Sequence, residues 1–205
     1  MRRQLLVSLA VLVVLAAGAA GPAHAQTLEE PRARQGYWIG FGFFGLASHL
    51  TEEGKDLGFY TGRGFTLRFG ELLTKRLGLG LQIDIGSIGK GSDQGGVGGL
   101  VLEGSARLWR NLSAHTGVGI GYVEATDNNS LDKTLRGGAG SYYLLGASYD
   151  IFPFAKRLTG GWAIIPAVDF RIMPDGNIHT YTFFAGLQIL RWSGLPREML
   201  IMPEE

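Results

Sequence analysis

Ser48 and His49 are adjacent, Glu52 and Glu53 follow shortly, and His179 stands near the far end of the chain. A hydroxyl, an imidazole and a carboxylate are the parts of an acyl-transfer triad, which is defined by geometry and roles, not by chain order. His49 and His179 are therefore the candidate catalytic residues. As metal ligands, two histidines without suitably spaced carboxylates are too few, so no metal site is expected. The chain has no Cys, which excludes a thiol nucleophile, a thiolate metal centre and a disulfide scaffold.

A second set of ionisable residues is larger: Arg68, Asp84, Glu103, Arg107, His115, Asp169 and Arg171. Each sits in a stretch where small or polar residues alternate with large apolar ones, and each falls on the small, polar side. If that side is the inside of a narrow structure, unpaired charges there are very costly, so they must pair or meet water. The set reads either as a gate or ion path, or as a satisfied structural network, and the second reading is favoured. Glu103, near mid-strand, is expected to meet Arg68, Arg107 or Arg171. The glycine runs Gly40–Gly45 and Gly117–Gly121 do not lie between a strand and a helix, so they are not nucleotide loops. No cofactor is implied.

The elements that carry these residues are strands. In Leu77 to Ile85 the odd positions are all apolar, whereas the even positions are Gly78, Gly80, Gln82 and Asp84. Period two puts the two sets on opposite faces of an extended strand. The same alternation occurs in Tyr37–Ser48, Phe59–Phe69, Leu100–Leu108, Leu112–Tyr122, Ala139–Tyr149, Trp162–Ile172 and Tyr181–Ile189. Eight segments of about ten residues each suit tilted strands crossing a bilayer, and an even number closes an antiparallel meander. Turn chemistry separates them, as in Thr51–Asp56, Gly89–Gly96, Asp127–Ser130 and Pro174–Asn177. The fold class is all-β, an eight-stranded up-and-down transmembrane barrel.

The first residues read differently. Arg2-Arg3 precede an apolar run from Leu5 to Ala20, and Ala23-His24-Ala25 follows a Gly-Pro break. This is the layout of a secretory signal peptide cleaved after Ala25. Its loss takes two positive charges from a formal net charge of +1 and leaves −1. No basic surface then argues for nucleic acid. The organisation is a signal peptide over 1–25, a leader over 26–36, the barrel over 37–192 and a tail over 193–205. After residue 25 no apolar run is long enough for a spanning helix, and lipid accepts strands only in a closed barrel.

Glycine is abundant at 33 residues, and much of it falls on the polar side, as at Gly78, Gly80, Gly117, Gly119, Gly121 and Gly186. A narrow interior filled by side chains explains this. The apolar side is then the outer one. Tyr37, Trp38, Phe69, Trp109, Tyr122, Tyr149, Phe152, Trp162, Phe170, Tyr181 and Trp192 lie near strand ends, where an aromatic girdle would meet headgroups. Over Tyr37–Trp192 this pattern resembles the small eight-stranded outer-membrane β-barrels typified by the OmpA transmembrane domain and OmpX.

The resemblance implies an outer-membrane location in a Gram-negative envelope, with contacts to outer-membrane lipid and lipopolysaccharide. It also implies short inner turns, outer loops open to a partner of unknown identity, and a structural or surface-interaction role. Two alternatives stand beside it. Some barrels of this size are lipid A-modifying acyl hydrolases or acyltransferases, although Asn177-Ile-His-Thr-Tyr181 carries no local signature of them. A soluble lipocalin-like carrier would also have eight strands, but its cavity would be lined by large apolar residues.

Overall fold

The computed structural model describes residues 36–74, 76–126, 135–153, 161–174 and 178–194. The signal segment, the leader before residue 36 and the tail after residue 194 lie outside them, as do the expected turn at Asp127–Ser130 and residues 175–177. Eight strands run in order: β1 (Tyr37–Glu52), β2 (Lys55–Leu72), β3 (Leu77–Lys90), β4 (Asp93–Trp109), β5 (Leu112–Thr126), β6 (Leu135–Tyr149), β7 (Gly161–Met173) and β8 (Ile178–Trp192). Each pairs antiparallel with its neighbour in sequence, and β1 pairs with β8 from Trp38↔Trp192 to Glu52↔Ile178, which closes the sheet into a barrel. The end bearing the β1–β2 and β3–β4 turns is called upper, and the end bearing Tyr37 and Trp192 lower.

Closure follows from the alternation. Odd residues of β3 face outward and even ones inward, and the register to β2 and β4 keeps that parity. The outer face is apolar all round, with Ile39 65% exposed, Ile120 68% and Leu145 63%. Along β3 the outward apolar side chains run from Leu77 to Ile85. Eight steps at about 3.3 Å make about 26 Å of strand, or about 20 Å of height at a tilt of roughly 40°.

The strands are longer than their apolar alternation. They have 13 residues in β7 and 18 in β2. The ladder continues above the apolar band through polar and glycine positions such as Ser87 and Gly89. Gly89–Gly96, expected as a loop, is instead two strand ends around a tight Gly91–Ser92 turn. At the β1–β2 turn, Glu53 and Gly54 both have positive φ, 47° and 82°. That is the primed geometry whose twist matches a two-residue hairpin. The β6–β7 ladder is the shortest, running from Tyr143↔Ile172 to Ser148↔Ala167 before a lone bridge at Ile151↔Ile164. It breaks beside Pro166, which has no N–H to give.

The inside differs from expectation in one respect. Its upper part is an apolar core built from Phe44, Leu46, Leu50, Ile88, Val97, Val123, Tyr142, Met173, Ile178 and Phe184. Ser48, Thr180 and Thr182 are buried among these residues, and the paired charges gather toward the levels below. Two of the expected girdle aromatics are also inside. Trp38 and Trp192 are buried, 4% and 7% exposed, and lie against each other with ring centroids 5.4 Å apart. Their even positions put them on the lumen side with Gly40 and Leu190. Phe152 packs half-buried against this lower cluster. Tyr37, Phe69, Trp109, Tyr122, Tyr149, Trp162 and Tyr181 are exposed on the outer surface, and Phe170 stacks on Tyr181.

Candidate functional site

The inward side chains of β2, β3, β4, β5 and β7 bring the charged residues together in two groups. In the first, Arg68 donates from Nε to Glu103 Oε2 at 3.0 Å and from Nη2 to Glu103 Oε1, a bidentate fork. Its Nη1 donates to Gln188 Oε1 at 2.6 Å. Arg68 stands opposite Gln82 and Glu103 opposite Gly80, so the pair reaches diagonally across β3. Both residues are buried, at 5% and 2% exposed.

The second group centres on Arg171. Its Nη1 lies 2.6 Å from Asp84 Oδ2 and its Nη2 2.7 Å from Asp169 Oδ2. Asp169 Oδ1 holds His115 Nε2 at 2.7 Å, and Gln82 donates to Asp84 at 3.0 Å. Asp169 and Arg171 are two apart on one strand, so they share a face and are neighbours. The guanidinium lies 3.6 Å over the Phe184 ring, which itself meets Phe44 edge to face. A planar cation is thus held between carboxylates on its edge and an aromatic on its face, which suits Arg and not Lys.

Small residues make room for this packing. A Cβ at Gly146 would run into His115 Nε2 and Asp169 Oδ1. Below, Cβ atoms at Gly70 or Gly80 would strike the Trp38 indole. The glycines of the inner face are therefore sites of close approach, as expected of a crowded interior.

Between the charged groups and the Trp pair lies a cavity of about 40 Å³, lined by Arg68, Arg107, His115, Asp150, Trp38 and Trp192 among others. It is large enough for about three water molecules. Arg107 belongs to this cavity and to neither charge group, and its buried Nε has no hydrogen-bond partner among the described residues. The interior thus reads upward as an indole pair, a small polar cavity, a charge network and an apolar core. Such a stack can hold a barrel rigid. It sets large side chains across the lumen where a pore would need open space.

The two histidines considered for catalysis lie elsewhere. Ser48 points inward, fully buried, with its Oγ 2.7 Å from Thr182 Oγ1. His49 points outward, 3.1 Å from Asp56 and tilted against the Phe59 ring. Adjacent residues of a strand face opposite ways, so the barrel wall separates this hydroxyl from this imidazole. His179 pairs with Thr51 at the upper rim, one outward position above the His49↔Tyr181 pair. Among the described residues no group of three His, Asp or Glu side chains is placed to hold a metal ion.

No family model and no curated protein matches the chain. Solved structures do. The attachment invasion locus protein Ail of Yersinia pestis, solved with the heparin analogue sucrose octasulfate, aligns at a TM-score of 0.54 and 13% identity. That match covers 76% of this chain and 99% of Ail. Ail solved without that ligand aligns at 0.54 and 14%, with the same coverage. Neisserial surface protein A aligns at 0.49 and 10%, over 77% of this chain and 97% of its own. At these identities the likeness is one of fold.

Proposed function

We propose that the chain is a bacterial outer-membrane protein that crosses the bilayer as a closed, side-chain-filled barrel. It serves a structural or surface-contact role through the strand ends and turns above its apolar band. The observation that carries this reading is the continuous outer ring of large exposed apolar side chains around a lumen crossed by the Arg171–Phe184–Phe44 stack. An apolar patch of that extent in water would promote aggregation, whereas lipid removes the penalty. A soluble lipocalin-like carrier would need a polar outer wall and an open apolar cavity, the reverse of what the side chains do. Among the described residues no helix is long and apolar enough to cross a membrane, so any crossing by those residues is by strands.

The name of Ail, an attachment invasion locus protein, fits a contact role for an upper surface. Binding of a polysulfated ligand such as the one in that structure is not carried over. The described upper turns hold Glu52, Glu53, Asp56 and Asp93 against Lys55 and Lys90, so they offer no cationic patch. A lipid A-modifying activity has no support at the described rim, since Ser48 and His49 face opposite sides of the wall.

Epitope tags test the reading. A tag inserted between Glu53 and Gly54 should bind antibody on intact cells, and one between Arg110 and Asn111 should bind only after the envelope is opened. Equal labelling at both sites, or none in the membrane fraction, would refute the orientation or the location. Mass spectra of lipid A should be the same with and without the gene, and an acyl change that reverts on His179→Ala would favour the enzyme.

A further inference from the structure

Among the described residues of the outer wall, Arg63 is out of keeping with its neighbours and, unlike Arg191, which lies over the Trp162 ring, has no partner. Arg63 of β2 faces outward, one position above Phe65 on that face, and is exposed. Its cross-strand neighbours are Gly45 on β1 and Ser87 on β3. Its guanidinium makes no hydrogen bond or ion pair among the described residues. The next outward rows down are Phe43, Phe65 and Ile85, and two outward positions up on β2 stands Phe59, 57% exposed. Directly beside Arg63 lies an open groove of about 580 Å³ lined by Phe43, Phe65, Ile85 and Gly45 among others. The groove exists because Gly45 has no side chain to fill it.

We infer that this face binds a phosphate-bearing lipid, one acyl chain in the Phe43–Phe65–Ile85 groove and its phosphate on Arg63. The inference rests on the membrane-spanning reading above. In that setting Arg63 sits between the apolar row of Phe65 below and the upper aromatic row of Phe59 and Tyr181, in the part of the wall nearest the upper headgroups. An unpaired cation at that depth needs an anion, and none of its described neighbours on the wall supplies one. A guanidinium presents a planar fork of donors that matches phosphate oxygens two at a time. Lys90, at the upper end of β3, is already engaged, donating to the Leu57 carbonyl at 2.6 Å. Charge below an aqueous layer and an apolar slot beneath it together specify an amphiphile, neither a free anion nor a plain hydrocarbon.

The test uses the full-length mature chain folded in nonionic detergent and native mass spectrometry. The probes are dioleoyl phosphatidic acid, dioleoylglycerol and inorganic phosphate. One phosphatidic acid should be retained about tenfold more strongly than the diacylglycerol, the size expected of a charge-assisted hydrogen-bond pair. Arg63→Gln should abolish that preference, and Arg63→Lys should keep part of it. Gly45→Leu should weaken retention of both lipids. That variant has room, because a Cβ at Gly45 meets only the Ala185 carbonyl, at 3.9 Å.

Equal retention by Arg63→Gln and the parent would overturn the site. Inorganic phosphate bound as tightly as the lipid, and indifferent to Gly45→Leu, would assign the cation to a free anion and also overturn it. Every variant should first show a compact, heat-sensitive gel band and enter lipid vesicles. A parent chain that does neither refutes the membrane reading, whereas an inserted barrel with unchanged lipid retention refutes the lipid site alone.

Discussion

Replacing Glu103 by Gln changes one atom and removes one charge. In the folded barrel the carboxylate takes both Nε–H and Nη2–H of Arg68, and neither residue reaches solvent to any extent. The amide that replaces it can still accept one of these bonds. Its NH2 group then points at the other donor, so one charge-assisted bond is replaced by a donor–donor clash. Gln188 continues to accept from Arg68 Nη1, but it supplies no negative charge. Breaking a buried ion pair by removing one member costs about 3–5 kcal/mol. The surviving bonds and the polar cavity beside Arg68 put this variant at the low end, about 3 kcal/mol. That is about a hundredfold in the unfolding equilibrium.

Urea unfolding in lipid vesicles, followed by tryptophan fluorescence, measures this change. The double variant Arg68→Gln with Glu103→Gln removes the stranded cation too. It should be less destabilised than the two single losses added together, by about 1–3 kcal/mol of coupling. A Glu103→Gln barrel as stable as the parent, or strictly additive losses, would mean that Glu103 is hydrated or turned away. The inward assignment of β4 would then be wrong.

Three further outcomes follow from the same packing. Gly146→Ala drives a methyl into His115 and Asp169 and should cost about 1–3 kcal/mol as an overpacked core, read by the same urea titration. Leu102→Lys, outward in the middle of the band, should cost about 2–4 kcal/mol in vesicles. A neutral or stabilising result there would indicate a water-facing wall. Planar bilayers holding the barrel should show no large, stable conductance, because Arg171 and the Phe44–Phe184 pair stand across the lumen. A steady nonselective current would contradict that packing.

What the residues reveal in sequence is the parity of each strand. Leu77 to Ile85 alternates without exception, so its faces, its length across the apolar band and the inward turn of Asp84 can all be read directly. The same rule places Glu103 and Arg171 inside. It does not say which cation meets which anion. Arg68 reaches Glu103 over Gly80 of an intervening strand, and that depends on a register no single segment encodes.

Strand ends are hidden for a related reason. Above Ile85 the outward positions are Ser87 and Gly89, where hydrophobic contrast vanishes although the backbone ladder persists. For Trp38 and Trp192, nearness to a strand end suggests a girdle and parity says otherwise. Trp38 shares its parity with Gly40 and Gly42, and parity is the signal that decides its place. The apolar upper core is masked by Phe43-Phe44, where both faces are aromatic and the alternation of β1 is lost.

The central claim is that one face of every strand meets lipid and the other is sealed inside. Single-tryptophan variants folded into vesicles with brominated acyl chains test it most directly. Trp109 and Trp162, exposed on the outer wall at 61% and 50%, should be strongly quenched. Trp38 and Trp192, enclosed at the lower end, should keep most of their emission. Quenching of the inner pair with sparing of the outer, or no quenching of any of the four, would contradict the account.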